Sequence, residues 1–147
     1  MALAKDFREF IELLTSHRVD FLVVGAHALA FHGHPRYTGD LDLWLRVSDE
    51  NSQRLERAIQ AFGFSSTGLT ADDFRKENTV VQLGHPPLRI DLITSLTGLD
   101  FEDAWKKRVV GDLDGLQVFF LDRESLIRNK RATGRTKDAA DAEALEK

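Results

Sequence analysis

Two segments decide the fold: Val24-Gly25-Ala26 and, after a short spacer, Asp40-Leu41-Asp42-Leu43-Trp44-Leu45. The second segment alternates in character, which predicts a strand with leucines on one face and Asp40 and Asp42 on the other. The first ends the apolar run 21 to 24 at a glycine, which predicts a buried strand entering a tight turn. Two carboxylates side by side on a strand repel each other, so a compensating charge is expected. A divalent cation bound through oxygen is the natural candidate.

The N-terminal half predicts helices packed beside these strands. Apolar residues recur at helical spacing between Phe7 and Leu14, which indicates a first amphipathic helix. A short second helix is expected at Ala28 to Phe31. A third helix is expected, capped by Ser48 or Asp49 and closed by Gly63.

The C-terminal half adds two strands, 80 to 83 and 88 to 93, joined by Gly84-His85-Pro86-Pro87. Strands so close in sequence are most simply antiparallel. We also expect a short helix at 101 to 107, a last strand at 117 to 121, and two helical segments separated by Gly134. The polar stretch 65 to 78 is ambiguous.

Length and composition indicate one ordinary globular domain. The chain has 147 residues, with 42% hydrophobic and 30% charged. We expect a single domain over 1 to 147, with a core at about 19 to 95 and a helical closure at about 122 to 147. The chain contains no cysteine, which excludes disulfides, thiolate metal sites and a cysteine nucleophile. No apolar run is long enough to span a membrane and no secretory pattern is visible, so a cytoplasmic location without membrane attachment is expected.

The charge balance argues against a protein that wraps nucleic acid. Lysine and arginine number 20 against 24 acidic residues, a formal net charge of -4, and wrapping many phosphates calls for a basic surface. Basic residues are nevertheless concentrated between Arg123 and Lys137. This local patch could meet a triphosphate or an RNA end.

From Val24 to Leu43 the chain resembles the nucleotidyltransferases of the DNA polymerase β superfamily. Their pattern is a hydrophobic residue, Gly, then Gly or Ser, a spacer containing a helix, and Asp-x-Asp. Within that superfamily, His32-Gly33 with the stretch 36 to 42 is similar to the small bacterial enzymes of the minimal nucleotidyltransferase and AbiEii type. Several of those belong to toxin-antitoxin or phage-defence systems. Arg89-Ile90-Asp91-Leu92-Ile93 is similar to their later carboxylate strand, and 126 to 138 resembles their closing tail.

The resemblance implies an α/β (α+β) fold of the polymerase β type, a small mixed sheet flanked by helices. It also implies metal-dependent transfer (EC 2.7.7 type) of a nucleoside monophosphate from a nucleoside triphosphate to an acceptor hydroxyl. The implied catalytic residues and metal ligands, for two Mg²⁺ or alternatively Mn²⁺ ions, are Asp40, Asp42 and Asp91. The implied nucleotide-binding residues are Gly25, Ala26, Arg36, Thr38 and Lys130. The acceptor stays open among a protein side chain, a tRNA end and a small molecule, and a cognate toxin or antitoxin is a possible partner.

Other interpretations of the same residues remain open. Ala26 stands where the resembled enzymes usually have Gly or Ser, which favours an inactive nucleotidyltransferase-like binding or regulatory protein. Asp91 could be a surface residue paired with Arg89, and Trp44 could support a base or simply pack. Three histidines, His27, His32 and His34, match no zinc spacing. Of these, His32 and His34 are expected to shape the phosphate-side loop or the substrate mouth. Two aspartates, Asp138 and Asp141, are interpreted as helix-start and helix-surface charges.

Overall fold

The computed structural model describes residues 3 to 63, 68 to 85 and 87 to 147. Within these ranges the α-helices are Lys5–Ser16 (α1), Gly25–Phe31 (α2), Asp49–Ala61 (α3), Phe101–Lys106 (α4), Arg123–Ala132 (α5) and Thr136–Glu146 (α6). The strands are Phe21–Val24 (β1), Asp40–Leu45 (β2), Val80–His85 (β3), Leu88–Ile93 (β4), Val109–Leu113 (β5) and Leu116–Phe120 (β6), and Ala71–Phe74 forms a 3₁₀ turn.

The described strands form one mixed sheet in the order β3-β4-β2-β1-β6-β5. Strand β2 lies at its centre, parallel to β4 and antiparallel to β1. The β3 and β4 strands are antiparallel, as predicted. The predicted α/β class with a small mixed sheet is therefore confirmed.

The alternation along β2 produces the expected buried face. Leu41, Leu43 and Leu45 are at most 1% exposed. On the opposite face, Trp44 is also 1% exposed, and its ring meets Phe101 edge to face at a centroid distance of 5.1 Å. Trp44 therefore has a packing role in this structure.

One hydrophobic core joins the two ends of the chain. It runs from Phe7 of α1 through the sheet to Leu145 of α6. The C-terminal helices thereby pack onto the same body as the sheet. None of the helices in the described ranges is long and apolar enough to cross a membrane.

Strand β5 was missed by the sequence prediction. It pairs with β6 through a turn in which Asp114 and Gly115 have φ angles of 51° and 88°. An Asp-Gly pair with two positive φ angles is typical of a two-residue hairpin turn, so this dipeptide was the available signal. The predicted connection from Gly84 to Pro87 includes Pro86, which lies outside the described residues, as do residues 64 to 67 of the ambiguous stretch.

Candidate functional site

The site begins at the turn between β1 and α2, where only glycine fits. Gly25 has a φ of +67°, and a Cβ placed on it would lie 2.1 Å from Oδ2 of Asp42. Val24, the last residue of β1, is paired with Asp42. The turn backbone therefore lies directly against one of the predicted catalytic carboxylates.

The three predicted carboxylates are brought together by the register of two parallel strands. Asp42 of β2 lies opposite Asp91 of β4, and Asp40 lies opposite Arg89. Nε of Arg89 donates to Asp91 Oδ1 at 2.8 Å, and Nη2 reaches Asp91 Oδ2 at 3.1 Å and Asp40 Oδ2 at 3.2 Å. The pairing of Asp91 with Arg89 is thus present, but Asp91 is only 8% exposed. It is not a surface residue.

The pKa of Asp42 shows the electrostatic effect of burying these carboxylates close together. Burial first, and then the charge of Asp91 and a hydrogen bond shared with it, raise the pKa of Asp42 to about 7. Arg89 offsets only part of the negative charge, because it bonds to Asp91 and Asp40. Its own pKa is raised, chiefly by the hydrogen bond to Asp91. The site therefore holds more negative charge than its one arginine balances.

The donor atoms suit a hard divalent cation, since all three predicted ligands are carboxylates. Across the described part of the chain, however, no three His, Cys, Asp or Glu side chains are grouped so as to hold a metal together. Arg89 spans Asp40 and Asp91 instead. Metal binding by all three carboxylates would require Arg89 to turn away from them.

A cavity of about 300 Å³ opens beside Asp40 and Asp42. All five residues predicted to bind nucleotide line it: Gly25, Ala26, Arg36, Thr38 and Lys130. Arg135 and Lys137 add two further cations to its wall. The lining holds four cations and three aspartates, Asp40, Asp42 and Asp138. Its four cationic side chains suit a polyanion.

A larger cavity of about 550 Å³ lies toward the other end of β2, beside Trp44 and Thr94. Its lining includes the acidic residues Glu77, Asp100 and Glu102 and no lysine or arginine. Because a triphosphate needs cationic partners, the smaller cavity is the candidate phosphate site.

Thr38 and His27 support the backbone around Asp40. Oγ1 of Thr38 accepts a hydrogen bond from the Asp40 backbone N–H at 3.0 Å. His27 hydrogen-bonds to the backbone of Asp40, and its pKa is lowered because burial outweighs that bond. His32 contacts the Leu121 carbonyl oxygen through Nε2 at 2.8 Å. His27 therefore supports the backbone of Asp40, and His32 ties the end of α2 to the residue after β6. The role expected of His32 and His34 at the loop or substrate mouth stays a prediction.

The sequence interpretation is wrong for Asp141, whereas Asp138 lies in the first turn of α6 as predicted. Both are 7% exposed, so Asp141 is not a helix-surface charge. Asp141 lies 2.5 Å from Arg36 and 3.2 Å from Lys130, and Asp138 lies 3.3 Å from Lys130. The signal was present in the sequence: with Ala142 and Leu145, the two aspartates occupy positions i, i+3, i+4 and i+7 of α6, which is the spacing of a buried face.

No family model matches the sequence, and no curated protein matches it. Among solved structures, the chain is similar to a crystal structure of a "putative nucleotidyltransferase" from Thermotoga maritima, with a TM-score of 0.59. The similarity covers 95% of this chain and 88% of that one at 17% sequence identity. The protein therefore has the fold of that structure across nearly its whole length.

Proposed function

We propose that the protein is a nucleotidyltransferase that moves a nucleoside monophosphate from a nucleoside triphosphate to an acceptor hydroxyl. The observation that carries the proposal is the position of Asp40 and Asp42 in one cavity with four cations, beside Asp91 on the neighbouring strand. The motif resemblance and the shared fold support it further.

The cationic wall binds the triphosphate. Arg36 offers a planar guanidinium that fits phosphate oxygens, and Lys130 offers a point charge. Gly25 and Ala26 line the same cavity, and Gly25 lies next to Asp42. A missing hydroxyl at Ala26 costs at most about one neutral hydrogen bond, roughly 0.5 to 1.5 kcal/mol.

Transfer forms a bond between the acceptor oxygen and the α-phosphorus and breaks the bond from that phosphorus to the oxygen bridging to the β-phosphate. Pyrophosphate leaves, and the acceptor proton passes to Asp91. Both Asp91 oxygens accept hydrogen bonds from Arg89 in this structure, so Asp91 would take the proton only after Arg89 turns aside. No covalent intermediate with the protein is required.

Asp40, Asp42 and Asp91 would hold Mg²⁺, or alternatively Mn²⁺, once Arg89 turns aside. A bound divalent ion supplies charge neutralisation of the phosphates and a lowered pKa of the acceptor hydroxyl. Burial and the negative charges of Asp91 and Asp40 raise the pKa of Asp42, and a bound cation would offset those charges.

Labelling tests the reaction and its acceptor together. The full chain is incubated with each labelled nucleoside triphosphate and magnesium in cell lysate, with and without RNase, or with small hydroxyl compounds. The expected result is labelling of one acceptor class by the natural chain and none by the Asp40→Asn, Asp42→Asn double variant. Equal labelling by both chains would remove the two aspartates from the reaction.

The second candidate is an inactive protein of the same fold that binds a nucleotide or a protein partner. Ala26 and the Arg89 bridge between Asp40 and Asp91 favour it. It predicts that triphosphate binds and that no acceptor is labelled, with or without Ala26→Ser.

A role in a toxin-antitoxin or phage-defence pair is a further proposal, supported by the motif resemblance alone. Growth arrest on expression of the chain, relieved by the product of an adjacent gene, would support it. Unimpaired growth on expression of the chain alone would count against a toxin and leave the antitoxin role to be tested with the neighbouring product.

A further inference from the structure

Two buried carboxylates of α6, Asp138 and Asp141, contact three of the four cations that line the proposed phosphate cavity. Asp141 contacts Arg36 at 2.5 Å and Lys130 at 3.2 Å. Asp138 contacts Lys130 at 3.3 Å and Arg135 at 2.9 Å. Thr133 Oγ1 also donates to Asp138 at 2.7 Å. Three cavity cations are therefore held from one helix face.

Both carboxylates are set up to stay ionised. Burial alone would raise the pKa of Asp141, but hydrogen bonds from Arg36 and Lys130 outweigh it and lower that pKa. For Asp138, the Thr133 hydroxyl and the Lys130 charge similarly outweigh burial. Each carboxylate is thus an anion at neutral pH, next to a cavity that would bind another anion.

We propose that Asp141 and Asp138 are positioning residues for triphosphate binding. Asp141 joins α6 to the loop before β2 through Arg36, and with Asp138 it holds Lys130 at the cavity. The inference rests on the proposed function. Lysine and arginine side chains lose about 2 kcal/mol of rotamer entropy when fixed, so cations held in advance bind phosphate with less loss.

The loss of the Asp141 charge and the loss of its positioning role should change anion affinity in opposite directions. Replacing Asp141 by asparagine removes a negative charge near the cavity, which by Coulomb's law alone should tighten the binding of an anion. Loss of positioning should weaken binding instead. The sign of the change therefore separates a positioning residue from a carboxylate that merely competes with phosphate.

Calorimetric titration of the full chain with magnesium ATP, and separately with inorganic tripolyphosphate, tests this. Asp141→Asn is expected to weaken both by about tenfold, equivalent to 1.4 kcal/mol and near the value of one charge-assisted hydrogen bond. The matched control is Glu146→Gln, because Glu146 also lies on α6 and pairs with a cation of α5, Arg131, but both are exposed. The control should stay within about twofold of the natural chain, the size of an exposed ion pair.

The outcomes separate this inference from the proposed function. If the natural chain binds neither probe, the proposed function fails and the positioning role fails with it. If the natural chain binds and Asp141→Asn binds equally or more tightly, only the positioning role is overturned. Near-ultraviolet circular dichroism, which reports on Trp44 and Trp105, checks folding. Should Asp141→Asn not fold, Asp138→Asn decides by the same readout, since it leaves the Arg36 and Asp141 pair in place.

Discussion

Gly25 and Asp42 are so close that a single added carbon would make them collide. The Cβ of an alanine at position 25 would lie 2.1 Å from Oδ2 of Asp42. The backbone there also has a positive φ of +67°, which residues with a side chain rarely adopt. Conformation and space therefore both demand glycine beside this carboxylate.

Gly25→Ala should accordingly lower the free energy of unfolding by more than strain alone explains. The control is Gly134→Ala, because Gly134 has a similar φ of +72° and nothing within 4 Å of its added carbon. We expect the Gly25 variant to be less stable than the control by about 1 to 3 kcal/mol, the usual cost of overpacking. Urea denaturation measures both, and equal losses would show that the Asp42 contact relaxes freely.

The raised pKa of Asp42 predicts a pH-dependent cost in the metal-free protein. The group holds its proton up to about pH 7 when folded, whereas the unfolded chain releases it near its ordinary value of 3.8. The contribution of Asp42 to the free energy of unfolding is therefore largest below pH 3.8. It falls as the pH rises toward 7 and stays constant above that. Asp42→Asn should therefore be more stable than the natural chain at pH 8, by a few kcal/mol at most, and the advantage should disappear near pH 4.

Thermal or urea unfolding between pH 4 and pH 8, with a chelator present, measures that difference. Asp103→Asn, at an exposed position of α4, is the control and should follow the natural chain. A stability difference for Asp42→Asn that does not change with pH would contradict the titration argument.

The sequence could predict the elements whose period or turn chemistry is local. Alternation in β2 separated the leucines from Asp40 and Asp42, and Gly25 marked the end of β1. The parallel pairing of β2 with β4 depends on tertiary packing between distant segments. The motif resemblance, and not periodicity, was what linked Asp91 to Asp40 and Asp42.

The sequence analysis failed to predict the contacts of Asp138 and Asp141 for a different reason. An aspartate on a helix is usually exposed, so the buried-face spacing of these two was outweighed by their charge. Their burial is possible because Arg36, which is 105 residues away from Asp141, completes the ion pairs. Local patterns do not contain such a distant partner.

Asp91 should matter more for transfer than for nucleotide binding. Asp91→Asn keeps the shape of the side chain but removes its charge and proton-accepting ability. We expect magnesium ATP to bind with similar affinity and transfer to fall by about a hundredfold, comparable to loss of one preorganised electrostatic group. Calorimetry and single-turnover labelling measure the two quantities, with Asp112→Asn on β5 as the exposed control. Transfer at the natural rate would exclude Asp91 from the reaction.

Lys130 and Arg131 are neighbours on α5 that differ in one decisive respect. Lys130 lines the phosphate cavity and its side chain is 16% exposed, whereas Arg131 is 50% exposed and pairs with Glu146. Lys130→Gln should therefore weaken the binding of a triphosphate much more than that of the nucleoside, and Arg131→Gln should affect neither. Arg36→Gln should resemble Lys130→Gln, because both cations are proposed to contact phosphate.

Salt provides the additional test of this assignment. Raising the ionic strength from 0.01 M to 1 M shortens the screening length from about 30 Å to about 3 Å, so the penalty for losing one cation should shrink. Titrations of ATP and adenosine at both ionic strengths, with the three variants and the natural chain, measure the effect. If Lys130→Gln weakened adenosine as much as ATP, the lysine would support the fold or the nucleoside and not the phosphates. If Arg131→Gln lowered triphosphate affinity as much as Lys130→Gln, the effect would come from the overall charge of α5. That result would contradict the assignment of the cavity as the phosphate site.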